Sequence, residues 1–175
     1  SQNGVICNPN IPSEEVFTTP HALRVEGHVS STKPLSHQGT LIDDIRVVFE
    51  KGSITEAKAS KGETVLKKVL ESDEGARRLG EVALVPNSSP ISNSGLLFYN
   101  TLFDENAACH IALGQCYSKC FKGEKNLSSA EIGERGGNSS MIHIDWMIGS
   151  GEIDIDGLGK DGGTVPIFRK GEWVD

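Results

Sequence analysis

"ENAACHIALG", residues 105–114, runs directly into "QCYSKC" at 115–120, and how this stretch folds decides what kind of site it can build. Asp104, Glu105 and Asn106 supply an N-cap and first-turn acids, which predicts a helix over about 105–120. On that helix His110 and Tyr117 lie two turns apart on one face, with small Gly114 between them. Glu105 is off this stripe in a regular helix, but at a frayed first turn it can swing inward. Two readings remain open. Glu105 can simply favour the helix dipole, with His110 a satisfied core histidine, or both can belong to a metal site. Taken alone, the segment favours the first, because lone histidines are usually structural.

Working outward, residues 21–30 and 40–50 alternate polar and apolar side chains with β-branched residues, the pattern of half-buried strands. "SITEAKAS", residues 53–60, follows a Gly-containing turn and reads as a hairpin partner. Val65, Leu66, Val69 and Leu70 recur at helical spacing within 63–71. "EVALVP", 81–86, is a brief buried strand ended by proline, and "NSSPISNSG", 87–95, reads as an irregular loop. "GERGGNSS", 133–140, reads as a flexible loop leading into a strand at 141–148, and 151–174 reads as closing hairpins. Strands with a few helices predict an α+β fold with a largely antiparallel or mixed sheet.

Composition bounds the function. At 175 residues the chain is long enough for one domain with a core of its own. Hydrophobic content of 37% and charged content of 23% argue against disorder, and apolar runs such as 141–148 are too short to span a bilayer, so no membrane partner is expected. A net charge of −7 disfavours nucleic acid, whose backbone is bound by clustered Lys and Arg. The basic residues around 58–68 and 119–125 are interleaved with acids and glycine and read as solvated surface. Cys7, Cys109, Cys116 and Cys120 form no Cys-x-x-Cys pair, which predicts reduced thiols in a cytoplasmic protein. The Asn-x-Ser triplets at Asn87, Asn126 and Asn138 read as chance.

The remaining donors sit far apart in sequence. In the strand at 141–148, His143 and Asp145 point to one face and Ile142, Ile144 and Trp146 to the other. This pair alone is equally compatible with a His–Asp hydrogen bond in the core and with a metal site. Glu14 and Glu15 lie in the Pro-bounded "NIPSEEVFTTP", where extended backbone sends them in different directions, so at most one faces a site. Glu81 opens a buried strand and needs exposure or a cation. Singly, these acids fit solvated surface better. Together, several carboxylates and two imidazoles suit a pair of divalent ions better than one tetrahedral zinc. His-Glu-x-x-His, a Gly-x-Ser-x-Gly elbow and a phosphate loop are all absent.

"NIPSEEVFTTP", "GEVALVPNSSPI", "NTLFDENAACHIALGQCY" and "HIDWMIGSGEIDIDG" resemble, in this order, motifs of the catalytic C-terminal domain of the aminopeptidase T, aminopeptidase S and PepS family of dinuclear metallo-aminopeptidases. The resemblance spans about residues 8–173. It implies metal ligation by Glu15, Glu81, Glu105, His110, His143 and Asp145, with Tyr117 and Glu81 catalytic and Glu81 bridging. Trp146 stands where the family usually carries a smaller aromatic, a difference that could reshape the pocket. The resemblance further implies two divalent cations (zinc, cobalt or manganese), peptide substrates with a free N-terminus, a homodimer, and a metal site between sheet and helix. Residues 1–175 would then be a single catalytic domain, a fragment lacking an N-terminal domain. Glu14 is a weaker candidate for carrying a proton to the leaving amine. The alternatives are a non-catalytic module for metal binding or dimer assembly, and a dinuclear phosphoesterase, for which Arg135 is the nearest phosphate-binding candidate.

Overall fold

The structure is a computed structural model that describes residues 11–123 and 127–174. Cys7, Lys125 and Asn126 lie outside them. Strands β1 (Val16–Thr18), β2 (Gly27–Ser30), β3 (Leu35–His37), β4 (Thr40–Ile42), β5 (Arg46–Glu50) and β6 (Ser53–Lys58) come first, all paired antiparallel. β2, β5 and β6 form one three-stranded sheet, and β3 and β4 a separate hairpin. Gln38 and Gly39, both at positive φ, make the two-residue turn between β3 and β4. Helix α1 (Glu63–Leu70) follows and buries Leu66 and Leu70, four residues apart, while Lys67 pairs with Glu63 on its outer face.

Strand β7 (Leu79–Leu84) leads to the short helices α2 (Pro90–Ser94) and α3 (Thr101–Asp104), then to β8 (His110–Gly114), helix α4 (Ser129–Glu134) and β9 (His143–Met147). The chain closes with β10 (Ile155–Leu158), β11 (Thr164–Arg169) and β12 (Glu172–Trp173), a three-stranded antiparallel sheet. The fold is α+β, and its centre is the antiparallel sheet β1-β7-β8-β9. Val47, Phe49, Ile54, Leu66, Leu70, Leu79, Ile111, Leu113, Ile144 and Trp146 contribute to one hydrophobic cluster, which joins the β2-β5-β6 sheet and α1 to one face of the central sheet. Among the described residues, no helix is long and apolar enough to cross a membrane.

Within 21–30 only Gly27–Ser30 is strand, with a turn at 22–23, and 40–50 divides into β4 and β5; three further segments depart from the sequence reading. Residues 105–120 do not form an α-helix: a 3-10 turn at Glu105–Ala107 ends where Ala108 becomes extended at φ −166°, His110 lies on a strand, and a second 3-10 turn follows at Ser118–Cys120. Asp104 does not cap that turn, because its carboxylate accepts from the backbone N–H groups of Phe98 and Asn100 at 2.7 and 3.0 Å. β8 is a central strand whose five residues are all buried, and a short apolar run of that kind carries no period to separate strand from helix. Within "NSSPISNSG", α2 forms because Ser89 caps it, Pro90 starts it and Gly95 at φ +65° ends it. "GERGGNSS" starts on the end of α4, which opens with a capping box from Ser128 and Glu131, and the loop beyond is pinned by Asn138. The Asn138 side-chain amide donates to the carbonyls of Gly75 and Gly114 at 2.8 and 2.7 Å.

One irregularity in β7 controls which way a glutamate points. Leu79 is opposite Leu113, yet Glu81 is opposite Ala112, so Gly80 is an extra residue in the strand. Alternation alone would put Leu79 and Glu81 on the same face. The bulge lets Leu79 enter the core while Glu81 emerges on the opposite face. A Cβ at position 80 would come within 2.4 Å of the Gln115 carbonyl oxygen. Gly80→Ala is therefore expected to lower the unfolding free energy by about 1–3 kcal/mol, the usual range for forced overpacking, as read by denaturant titration.

Candidate metal centre

Register gathers the donors on the sheet face that is turned away from the core. Glu81, Ala112 and Asp145 are directly opposite one another on β7, β8 and β9, and Gly114 is opposite His143. His110 is two residues from Ala112 and so shares that face. Ala112 and Gly114 on the middle strand leave space above it. Phe17 is opposite Ala83 across β1 and β7, and Glu15, two residues before Phe17, reaches the same side. Glu105 enters from the 3-10 turn that follows α3. The donors thus lie on a sheet face flanked by a helical turn.

The six side chains form three overlapping groups whose donor atoms lie within 4.8 Å of one another: Glu15, Glu81 and His110; Glu81, His143 and Asp145; and Glu105, His110 and Asp145. His110 Nε2 is 3.0 Å from Glu15 Oε2 and 3.8 Å from Glu81 Oε1. His143 Nε2 is 3.3 Å from Asp145 Oδ1 and 3.9 Å from Glu81 Oε2. Glu81 therefore directs one carboxylate oxygen toward each histidine.

Backbone carbonyls orient both rings. His110 Nδ1 is 3.1 Å from the Ala108 oxygen and His143 Nδ1 is 2.7 Å from the Gln115 oxygen, so a proton on Nδ1 is held by a carbonyl and Nε2 faces the acids. His110 Nε2 is buried and, despite its closeness to Glu15, makes no hydrogen bond of good geometry. A buried nitrogen aimed at acids without a properly aligned hydrogen, in a cluster of carboxylate and imidazole donors, fits a divalent cation.

The charge balance points the same way. Burial opposes protonation of His110 and His143, but the surrounding carboxylates override it and raise their pKa values to about 10 and about 9. Burial, reinforced by Asp145, Glu15 and Glu81 against the opposing pull of His110, lifts Glu105 to about 8. The crowded acids are thus balanced by retained protons where cations could take their place.

The cleft over this face has a volume of about 530 Å³ and is lined by Glu15, Glu81, Glu105, His143, Asp145 and Tyr117, together with neighbours the sequence reading did not single out. Tyr117 is 36% exposed, packs edge-to-face on Phe17 with ring centres 5.6 Å apart, and has Lys119 Nζ 5.7 Å from its ring centre. It lies in the loop after β8, and so reaches the cleft from a different element than His110. Glu14 and Arg135 do not line the cleft: the Glu14 N–H donates to Asn106 Oδ1 and Arg135 donates to the Lys122 carbonyl. Trp146 is 1% exposed in the core behind the sheet, so its bulk fills the interior and leaves the cleft unaltered. Cys109, Cys116 and Cys120 are free thiols.

His37, Gln115 and Cys116 also line the cleft. The available signal for His37 was the Gln-Gly turn after it, which marks a hairpin and places His37 at its end. Its pKa is lowered by burial.

A carboxylate-rich cluster with two imidazoles on an antiparallel sheet suits divalent cations of the kind that metal-dependent hydrolases use. In keeping with it, residues 1–173 match the family model described as thermophilic metalloprotease (M29), and the chain belongs to that family. It is 56% identical to aminopeptidase T of Thermus aquaticus over 99% of its own length and 42% of that relative's. It is 54% identical to aminopeptidase 2 of Geobacillus stearothermophilus, again over 99% of this chain and 42% of the relative. The solved structure titled wild-type AmpT from Thermus thermophilus superposes with a TM-score of 0.89 at 54% identity, covering 100% of this chain and 43% of that one. The chain therefore spans less than half the length of these relatives.

Because His110, His143 and Glu105 hold protons above neutrality, loading a cation at pH 7 must displace them, up to three in all. The expected outcome is proton release on titration with zinc and an apparent affinity that rises from pH 6 to pH 9. Calorimetry in buffers of differing ionisation enthalpy measures both, and binding without net proton release would contradict the proposed balance.

Proposed function

We propose that this chain carries the active centre of an aminopeptidase that removes N-terminal residues from peptides, using two divalent cations (zinc, cobalt or manganese). The observation that carries the reading is Glu81, whose two carboxylate oxygens face His110 and His143 separately and which belongs to two of the three donor groups. Membership of the metalloprotease family and the names of the relatives support the peptidase chemistry.

Glu15, Glu81, Glu105, His110, His143 and Asp145 would hold the cations, with Glu81 bridging. When bound, the cations supply Lewis acidity, polarising a scissile carbonyl and lowering the pKa of water towards neutrality. The carboxylates around the cleft also attract a protonated substrate amine. Tyr117, at the cleft wall on a scaffold of Phe17 and the loop after β8, would donate its phenol proton in a hydrogen bond to the developing oxyanion. The Ala108 and Gln115 carbonyls keep both imidazoles aimed. The same scheme places the chain as the catalytic part of a longer enzyme, in a cytoplasmic homodimer. Free thiols are consistent with a reducing compartment, and exposed Leu158, Val165 and Trp173 offer apolar surface for self-association.

The test is hydrolysis of leucine p-nitroanilide by the protein, supplied with its N-terminal domain. Turnover is expected to stop with EDTA and to return with zinc, cobalt or manganese. Persistent turnover in the chelator would refute the reading. Tyr117→Phe is expected to lower kcat on the order of 100-fold, the scale of one oxyanion donor, with cation content unchanged. Glu81→Ala is expected to lose both activity and bound cation, as read by metal analysis.

A further inference from the structure

Beside the cleft lies a second groove of about 590 Å³ that shares three wall residues with it, His37, His143 and Ile144. The two meet at β9, which carries two of those shared residues. That strand is at the edge of the central sheet, so the second groove adjoins the sheet on the side where no further strand pairs with it. Val65 and Val69 of α1, with Ile142, supply apolar wall in the groove, while Lys68 on the same helix supplies a cation. The neighbouring Lys67 is engaged by Glu63, whereas Lys68 makes no ion pair among the described residues. In a chain of net charge −7, an unpaired lysine in a groove that adjoins an acidic cleft sets a positive field beside a negative one.

An extended peptide has the complementary polarity. Its protonated N-terminus suits the carboxylates, and its C-terminal carboxylate suits a lysine several residues away, each residue spanning roughly 3.3–3.6 Å. The geometry points to this groove as the subsite for the leaving portion of a peptide substrate, with the chain passing His37 and His143 at the β9 edge and Lys68 receiving the C-terminal carboxylate of a short peptide. This inference rests on the aminopeptidase reading and adds to it a substrate class: short apolar peptides with a free C-terminus. His37, a half-buried imidazole on the shared wall, is placed to hydrogen-bond the passing backbone.

The experiment compares leucyl-leucyl-glycine, its longer homologues with one or two further glycines, the corresponding C-terminal amides, and leucine p-nitroanilide. For at least one length, Lys68→Ala is expected to lower kcat/KM for the free acid about threefold and Lys68→Glu about tenfold, in line with an exposed ion pair lost or reversed. The amides and the anilide are expected to change by less than about twofold, since neither carries the carboxylate. A second readout needs no turnover: in EDTA, calorimetry is expected to show the free-acid peptide binding more tightly than its amide, a preference that Lys68→Glu abolishes. Equal effects on acid and amide at every length, or no preference in binding, would overturn the subsite. Failure of the peptidase reading is distinct: the unsubstituted protein would then leave the anilide intact at every cation concentration.

Discussion

Like charges brought within a few ångströms inside a partly desolvated cleft repel strongly, and the rest of this molecule is organised around containing that repulsion. Glu15, Glu81, Glu105 and Asp145 converge with two imidazoles on one sheet face. In this state protons on His110, His143 and Glu105 offset the acids. Glu81, His110, His143 and Asp145 are held by the register of β7, β8 and β9 and by carbonyls behind the rings, while Glu15 and Glu105 come in from outside those three strands. A cluster like this costs stability that the opposite face of the same sheet has to supply, through Ile111, Leu113, Ile144 and Trp146 in the core.

The two faces are kept separate by small-residue devices rather than by large ones. The bulge at Gly80 reverses the sense of alternation between Leu79 and Glu81, so a core residue and a donor follow each other one position apart from the expected pattern. Gly114 at φ +98° ends β8 where an added Cβ would meet the Ile142 carbonyl at 2.2 Å. The Gln115 carbonyl that crowds Gly80 is also the one that holds His143. Backbone packing on one strand is thereby coupled to ring orientation on another.

Much of the outline was legible in the sequence. The β5–β6 hairpin, α1, the strand at β7 and the shared face of His143 and Asp145 follow from period and turn residues that act locally. Residues 105–114 misled because their cues were accurate but short-ranged: the acids do start a helical turn, yet pairing with β7 and β9 extends the next residues into a fully buried strand. Ser89 and Ser128 cap helices of only five and six residues, too short for apolar periodicity to mark them within their polar surroundings. The resemblance implies Glu15, Glu81, Glu105, His110, His143 and Asp145 as candidate donors, but their grouping in space depends on register and on a bulge that no local pattern shows. His37 offered no chemical pattern at all, and only the folded hairpin brings it to the cleft.

Asn106 has a wider effect than its place in a turn suggests. Its side-chain oxygen accepts from the Glu14 backbone, 92 positions earlier, and its amide donates to the Leu102 carbonyl, so it clips the chain next to Glu15 onto the turn bearing Glu105. Two parts of the acid cluster are thus joined by a contact of very long sequence separation, whose closure costs chain entropy that the packing around it has to offset. Losing that clip would free the Glu15 segment from the turn that carries Glu105 and loosen the acid cluster from one side.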